Sequence, residues 1–336
     1  MKQIGLIIAL IITFISYAQP GGENIYSFLN FSTSARQTAL GGSVLTLTDD
    51  VNQPLWNPAT INEEMGGKTS LNYANYLKDI NYLSTTYAHY VDRHIGTFHA
   101  GITYLNYGSF IGADENGVET GTFKAYDMAL SLGYAYQIPH SHFYVGANLK
   151  LINSVIEQYT SLGIATDIGA FYKNVEKPYR IAFVIRNLGR QITHYTATNE
   201  SIPLLIQLGG SFQLEHVPIR LYGTLDNLQQ WKIAYPNPSD STSDFEGNVY
   251  TNEPTFVNNL MRHIIVGAEL LPDKGFSLRL GFNFQRANEL KLNNIRTFSG
   301  INAGFGLKMN RFKLNYAFSK FHPIADTHTF SLEINL

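Results

Sequence analysis

The chain has 336 residues, a formal charge of −2 and a mean hydropathy of −0.10, and it contains no cysteine. The near-neutral charge excludes a nucleic-acid binder, which needs a basic face, and the absence of thiols excludes disulfide scaffolds and thiolate metal sites. The hydropathy is too low for a helical membrane protein, whereas 21 Tyr, 21 Phe and 28 Gly are typical of a barrel with aromatic girdles and a polar lumen.

The first eighteen residues have the pattern of a secretory signal peptide. Lys2 is followed by an uncharged apolar run over 4–15, and Ser16 and Ala18 occupy the −3 and −1 positions of a cleavage site after Ala18. The alternative is a transmembrane anchor, but this run is too short to cross a bilayer as a helix. Residues 1–18 are therefore predicted to be removed, and no lipid anchor is expected because no cysteine follows.

Residues 19–67 alternate poorly between apolar and polar positions. Asn57 is a suitable N-cap for a helix that begins at Pro58, and Gly66 is expected to end that helix as the residue after its C-cap. A short segment of this kind, placed before the first strand, is predicted to sit inside a barrel as a hatch.

From residue 68 onward, apolar residues alternate with polar or small ones, as in strands with one apolar and one hydrated face. A soluble sandwich shows the same alternation. Strands of ten or more residues with Tyr or Phe near their ends favour a membrane barrel instead. Fourteen strands are predicted, with twelve or sixteen as alternatives, near 68–78, 81–91, 94–110, 122–138, 141–156, 158–173, 178–188, 203–215, 218–228, 260–271, 275–287, 295–309, 311–320 and 326–336.

The connections between these strands alternate in length. Those after even-numbered strands are short, whereas those after odd-numbered strands include 111–121, 189–202, 229–259 and 288–294. Outer-membrane barrels have an even number of strands, short periplasmic turns and longer outer loops. The sequence therefore predicts an all-β, membrane-spanning antiparallel up-and-down barrel of about 14 strands over 68–336, in the outer membrane, with both chain termini in the periplasm.

The ten histidines suggest a metal site, but the pattern does not support one. His94 and His99 point to opposite faces of a strand, and His140 and His142 lie in a predicted turn, so exposed turn histidines are the preferred interpretation. A Ser–His hydrolase is disfavoured because Ser141 and His142 are adjacent and no Gly-x-Ser-x-Gly elbow is present. The glycines of 300–306 lie in an alternating strand rather than in a dinucleotide loop. No catalytic, cofactor or metal site is therefore predicted.

The connection 229–259 is rich in aromatic residues. Aromatic side chains are costly to leave in water and are favoured as anchors of protein interfaces. The connection is therefore a candidate partner-binding loop, and the alternative is that it packs its own aromatics over the barrel mouth. The candidate anchors are Trp231, Tyr235, Phe245, Tyr250 and Phe256.

The residues before the first strand resemble a known family. Ala35 and Arg36, the run 39–43, Asp49 and Asp50, and Asn57-Pro58-Ala59 are similar to the N-terminal pattern of the FadL-like outer-membrane proteins. That family includes the long-chain fatty-acid transporter and the PorV and PorQ proteins of type IX secretion. The resemblance implies fourteen strands and an N-terminal hatch. It also favours a hatch held in the lumen by ion pairs of Arg36 with the two aspartates, against the alternative of solvated loop carboxylates.

Within this family, the chain is similar to the PorQ-like branch of the PorV/PorQ group. The similarity lies in 51–65, 101–108, 185–189 and 225–228, and the family resemblance is strongest over about 35–230. It implies a non-catalytic docking component of the cell-surface attachment complex for secreted cargo. The implied partners are a PorZ-like surface protein and, with it, PorU- and PorV-like components, without any cofactor.

The alternative is a FadL-like transporter of small hydrophobic molecules. A continuous apolar path from the outer loops to the hatch would favour transport, whereas a sealed lumen and an aromatic outer surface would favour docking.

Overall fold

The computed structural model describes residues 24–174, 176–235, 254–290, 298–321 and 325–336, and the backbone of 242–243 and 249–250. Fourteen strands of these residues form a closed antiparallel barrel, in which each strand pairs with its neighbours in sequence and the first strand pairs with the last. The predicted all-β, up-and-down barrel of fourteen strands is therefore confirmed. The predicted signal peptide lies outside the described residues.

Most strand bounds lie within five residues of the predicted ones, but the strand predicted for 295–309 begins only at Ile301. The elements are numbered here in chain order. The barrel strands are β1 (Lys68–Leu77), β2 (Ile80–Asp92), β3 (Gly96–Ala113), β4 (Glu119–Gln137), β5 (Phe143–Ile156), β6 (Tyr159–Lys173), β7 (Tyr179–Thr193), β8 (Leu205–Gln213), β9 (Ile219–Leu225), β10 (Ile264–Leu270), β11 (Phe276–Asn283), β12 (Ile301–Met309), β13 (Phe312–Ser319) and β14 (Thr327–Asn335).

Helical elements are short within the described residues. The α-helices are α1 (Ala35–Ala39), α2 (Phe256–Arg262) and α3 (Phe284–Glu289), and the 3-10 turns are Ser27–Asn30, Gln53–Leu55, Pro58–Thr60 and Glu63–Met65. None of these helices is long and apolar enough to cross a membrane. A two-residue ribbon, Thr242–Ser243 with Val249–Tyr250, lies in the β9–β10 connection.

The two rims of the barrel differ in the length of their connections. Connections after even-numbered strands have five residues or fewer, and β12 and β13 are joined by Asn310 and Arg311 alone. The longest connections, 226–263 and 284–300, follow odd-numbered strands and therefore lie at the opposite rim. β1 begins and β14 ends at the short-turn rim, where Leu336 N donates to Gly67 O at 2.9 Å.

The barrel wall has an apolar outer face. On β4, Met128, Leu130 and Leu132 are exposed, whereas Asp127 and Ser131 between them point inward and are buried. The other strands repeat this pattern, so a continuous apolar surface surrounds the barrel. Because the closed ladder also pairs the backbone of every wall strand, this surface is suited to lipid rather than to water.

Two strands are shorter than predicted because helices replace their ends. Residues 260–262 belong to α2, and β10 begins only at Ile264. Likewise β11 ends at Asn283, whose side chain accepts a hydrogen bond from Arg286 N at 2.9 Å and caps α3. Phe284 and Gln285 are therefore helical, although the alternating pattern predicted a strand as far as residue 287. Conversely, β3, β4 and β7 extend into the predicted loops 111–121 and 189–202.

We expect the folded barrel to resist unfolding in detergent until it is boiled, because a closed ladder offers no free edge from which to open. Unheated and boiled samples should therefore migrate differently in a denaturing gel, and circular dichroism of the unheated sample should be dominated by β-structure. Identical mobility together with a helical spectrum would contradict the barrel.

Candidate functional site

The N-terminal segment 24–67, called the hatch here, crosses the lumen from one rim to the other. Ile25 N donates to Ser201 O at 3.0 Å in the β7–β8 connection, at the long-connection rim. At the other end, Gly67 N donates to Ala88 O at 2.9 Å, near the short-turn rim. The first described residue, Asn24, thus lies at the rim opposite Leu336. Both chain termini were expected in the periplasm, but residues 1–23 lie outside the described residues, so the structure places Asn24 and not the N-terminus itself.

Inward-facing glycines of the wall make room for the hatch. A Cβ atom on Gly281 would lie 2.2 Å from Gly41 N, and one on Gly146 would lie 2.6 Å from the carbonyl of Pro58. Only glycine allows the backbones of wall and hatch to approach so closely. Four wall glycines face hatch backbone in this way, Gly146, Gly169, Gly267 and Gly281, whereas Gly101, Gly163 and Gly304 face hatch side chains.

A buried ion network joins the hatch to the wall. Arg36 on α1 donates from Nε and Nη2 to the two carboxylate oxygens of Glu269 on β10, at 3.1 and 2.9 Å. Glu269 also accepts hydrogen bonds from Arg279 Nε at 2.7 Å and from the Tyr222 hydroxyl at 2.8 Å. All four side chains are buried, so each charge depends on its partners instead of water.

The two aspartates of the hatch differ in their partners. Asp49 Oδ2 accepts from Arg36 Nη1 at 2.7 Å and lies 3.5 Å from Lys313 Nζ on β13. Burial raises the pKa of Asp49, but Arg36 and Lys313 outweigh that effect and hold the pKa of this carboxyl well below its usual range. Asp50 instead accepts hydrogen bonds from the backbone and side-chain nitrogens of Asn52, each at 2.9 Å. The structure therefore brings Arg36 to Asp49 but leaves Asp50 in a local turn.

Asn57 and Pro58 start a single 3-10 turn rather than the predicted helix to Gly66. The Asn57 side chain accepts from Ala59 N at 3.0 Å and donates to Leu45 O at 2.8 Å, so it fixes two parts of the hatch to each other. The turn ends at Thr60, where the backbone becomes extended. Gly66 has a negative φ of −56°, and the left-handed position falls one residue later at Gly67, with φ of +75°.

A second hatch–wall contact was not predicted. The guanidinium of Arg186 on β7 stacks on the Trp56 ring, with its carbon 3.6 Å from the ring centroid. Trp56 Nε1 donates to Gln207 Oε1 on β8 at 3.0 Å. A buried cation on the ring face and an acceptor at its edge fix the indole between two strands. Arg186 belongs to the 185–189 run and Trp56 to the 51–65 run of the PorQ-like resemblance, but nothing in either run predicted that the two side chains meet.

The lumen beside the long-connection rim contains an apolar cluster. Phe28 and Phe31 of the hatch pack among Tyr76, Tyr82 and Leu105 of the wall, and the Phe31 and Tyr76 rings lie 4.7 Å apart. The hatch thus supplies its own aromatic side chains to the apolar part of the lumen. Within the described residues, hatch side chains therefore occupy part of the predicted lumen, and a pocket of ≈ 380 Å³ between Ser32, Ser43 and Trp56 of the hatch and Asp226 and Arg286 of the wall remains beside them.

The aromatic residues of the β9–β10 connection are only partly described. Trp231 stacks on His263 and lies tilted against Phe256, with ring centroids 5.2 and 5.3 Å away, yet Trp231 remains 48% and Phe256 67% exposed. Tyr235 is also exposed. Tyr250 is described by its backbone alone, in the short ribbon, and Phe245 lies outside the described residues.

The histidines do not converge on one site within the described part of the chain, where no three His, Asp or Glu side chains could hold a metal together. His140 and His142 are exposed in the β4–β5 turn. His99 is buried, and its Nε2 lies 2.9 Å from the carbonyl oxygen of Val51 in the hatch.

Comparisons with known proteins identify the fold. No family model matches the chain, and no curated protein matches it in sequence. The toluene transporter TbuX of Ralstonia pickettii superimposes with a TM-score of 0.53 and 11% identity, over 93% of this chain and 100% of that chain. A FadL homologue of Pseudomonas aeruginosa gives a TM-score of 0.50 and 11% identity, over 90% and 98%. The chain therefore has the fold of the FadL-like barrels.

We expect Glu269→Gln to loosen the hatch, because it removes the carboxylate shared by two buried arginines. Breaking a buried ion pair on one side costs about 3–5 kcal/mol. Limited proteolysis should cleave 24–67 faster in the variant, while the gel shift of the barrel persists. Asp273→Asn is the matched control, since Asp273 is an exposed carboxylate in the β10–β11 turn. Equal cleavage rates in the two variants would show that the ion network does not hold the hatch.

We expect Gly281→Ala to displace the hatch by steric conflict with the backbone of residues 40 and 41. Overpacking of this kind costs about 1–3 kcal/mol. The control is Gly223→Ala on β9, where a Cβ atom meets nothing within 4 Å. Hydrogen exchange measured by mass spectrometry should increase in hatch peptides of the first variant only. Unchanged exchange in both variants would mean that the hatch tolerates a larger residue at this contact.

Proposed function

We propose that this chain is an outer-membrane barrel that acts as a non-catalytic docking platform in the cell-surface attachment complex of type IX secretion. The observation that carries the proposal is the hatch, which is held inside the lumen. The hatch is held by the Glu269 network, the Trp56–Arg186 stack and the glycine contacts, and it extends from rim to rim. A soluble partner can therefore meet the protein only at its rims.

The long-connection rim offers the apolar anchors that a protein interface needs. Trp231, Tyr235, Phe256 and Phe298 are exposed on connections of this rim, and Phe298 is 72% exposed. Long connections of outer-membrane barrels face the cell exterior, so we place this rim outside and the short-turn rim in the periplasm. This orientation suits a surface partner such as the PorZ-like protein that the resemblance implies, with PorU- and PorV-like components beside it.

The second candidate function is transport of small hydrophobic molecules, and the solved structures favour it over docking. One of them is described as a toluene transporter, and the two share the overall fold with this chain. A shared fold at 11% sequence identity does not determine a shared function. The apolar cluster around Tyr76, Tyr82 and Leu105 supports transport only if Phe28 and Phe31 leave it, because these hatch residues occupy it now.

Shortening 230–257 to a Gly-Ser turn tests the docking proposal. We expect barrel assembly to persist, because surface loops tolerate deletion, and we expect the surface partner to be lost. The measurement is purification from outer membranes in mild detergent, followed by identification of the proteins that co-purify. The control variant shortens the β3–β4 tip at 114–118, which lies at the same rim and lacks aromatic residues.

Three outcomes distinguish the candidates. Loss of a surface partner from the first variant alone supports docking through this connection. Retention of that partner in both variants moves the interface to the short-turn rim or to another connection. Uptake of radiolabelled toluene by vesicles containing the unmodified barrel, without any co-purifying surface protein, would replace docking with transport.

A further inference from the structure

The apolar belt on the outer wall is tall on one side of the barrel. On β4, every outward-facing residue from Tyr126 to Tyr136 is apolar or aromatic. Ten residues of a strand that rises about 3.4 Å per residue and is tilted by about 40° span roughly 25 Å. This height matches the usual apolar band of a membrane barrel.

The belt is shorter around the seam where β14 pairs with β1. A row of four polar residues in cross-strand register, Asn106, Asn81, Asn75 and His328, crosses this part of the outer wall. Below this row, β1 has only two outward-facing apolar residues, Tyr73 and Leu71, before the outward-facing Thr69. The six residue steps from Asn75 to Thr69 span roughly 15 Å at the same rise and tilt.

Tyrosine hydroxyls mark the same boundary. The Tyr73 hydroxyl donates to Asn81 Oδ1 at 2.7 Å, and the Tyr316 hydroxyl lies 2.8 Å from His328 Nδ1. Tyrosine rings at membrane interfaces keep the ring in the apolar layer and the hydroxyl in the polar layer. The polar row around the seam therefore has the composition of a membrane–water interface, although it lies within the strands.

The wall is also concave in this region. A depression of ≈ 650 Å³ spans β12, β13, β14, β1, β2 and β3, and outward-facing apolar side chains form its surface. Two cross-strand rows line it on four of these strands. The aromatic row is Phe305, Tyr316, Phe330 and Tyr73, and the aliphatic row is Leu307, Leu314, Leu332 and Leu71.

We propose that the wall around the β14–β1 seam thins the bilayer on one side of the barrel, and that acyl chains of the adjoining lipids fill the depression. The depression is continuous with the lipid-facing belt and is bounded above by the polar row, so lipid is the occupant that matches its chemistry. A bilayer adapts to a protein whose apolar span is short by becoming locally thinner, because the free-energy cost of this thinning is modest. This inference does not depend on the docking proposal.

Single spin labels test the thinning, since the chain has no cysteine of its own. Cysteines replace His328, Phe330, Leu332 and Ile334 in turn on β14, and Tyr126, Leu130, Leu132 and Tyr136 on β4. The labelled proteins are reconstituted in vesicles of a phosphatidylcholine with 18-carbon monounsaturated chains. Collision rates of the label with oxygen and with a water-soluble nickel chelate then give its depth.

We expect the label at 328 to collide mainly with nickel and the labels at 330, 332 and 334 to collide mainly with oxygen. The β4 series should place Leu130 and Leu132 deeper than any position of the β14 series. A label at 328 as deep as the label at 330 would overturn the thinning. A label at 332 shielded from both reagents would overturn lipid as the occupant of the depression, because protein would then cover it.

A second variant keeps the inference testable if a β14 label disturbs folding. Asn75→Leu with His328→Leu removes the polar row at the β14–β1 seam, so a label at position 81 should move from water into the hydrocarbon. The matched control is Asn153→Leu, an outward-facing polar residue of β5 outside the seam. A label at 81 that stays in water in the double variant would show that this row does not set the boundary.

Discussion

Closure of the sheet by pairing β1 with β14 is the constraint on which the rest of the structure depends. A fourteen-stranded ring has no free edge, so its backbone groups are satisfied within the wall and its outer face can be apolar. The same ring is too wide for its own inward side chains to fill. The hatch supplies the missing volume, and the inward glycines let it approach the wall backbone at Gly146 and Gly281.

Filling the lumen with protein then requires that buried charges be paired. Glu269 lies between Arg36 of the hatch and Arg279 of the wall, and Asp49 balances the second positive charge. Replacing such a network with apolar residues is often neutral or stabilising, so its main effect is to fix position. An Arg36 side chain that slipped by one residue would lose both Glu269 and Asp49 and become a buried charge without a partner. The network therefore selects a single register for the hatch.

The period of two in the sequence predicted the strands, their number and the parity of the connections, because strand geometry is local. It failed where a local cap overrides the period, as Asn283 does at the start of α3. Arg36 and Asp49 were predicted to pair, but Glu269 was not, since it lies 233 residues from Arg36 and alternates like any inward residue of its strand. The Trp56–Arg186 stack and the position of Asn24 depend on such long-range contacts too. No local pattern encodes them.

The hatch in the lumen is compatible with docking but is an obstacle to transport. Docking at a rim leaves the hatch in place, because the partner contacts only connections. Transport through the lumen requires part of the hatch to move, and its parts are held unequally. Residues 25–31 are held mainly by apolar packing and a few hydrogen bonds, including Tyr26 with Ser161, whereas 36–58 are held by the ion network and the backbone contacts at glycines. A hydrophobic solute could therefore replace Phe28 and Phe31 without breaking an ion pair, but the Glu269 network would still hold the rest of the hatch in the lumen. Transport thus needs a second exit or a second displacement, and docking needs neither.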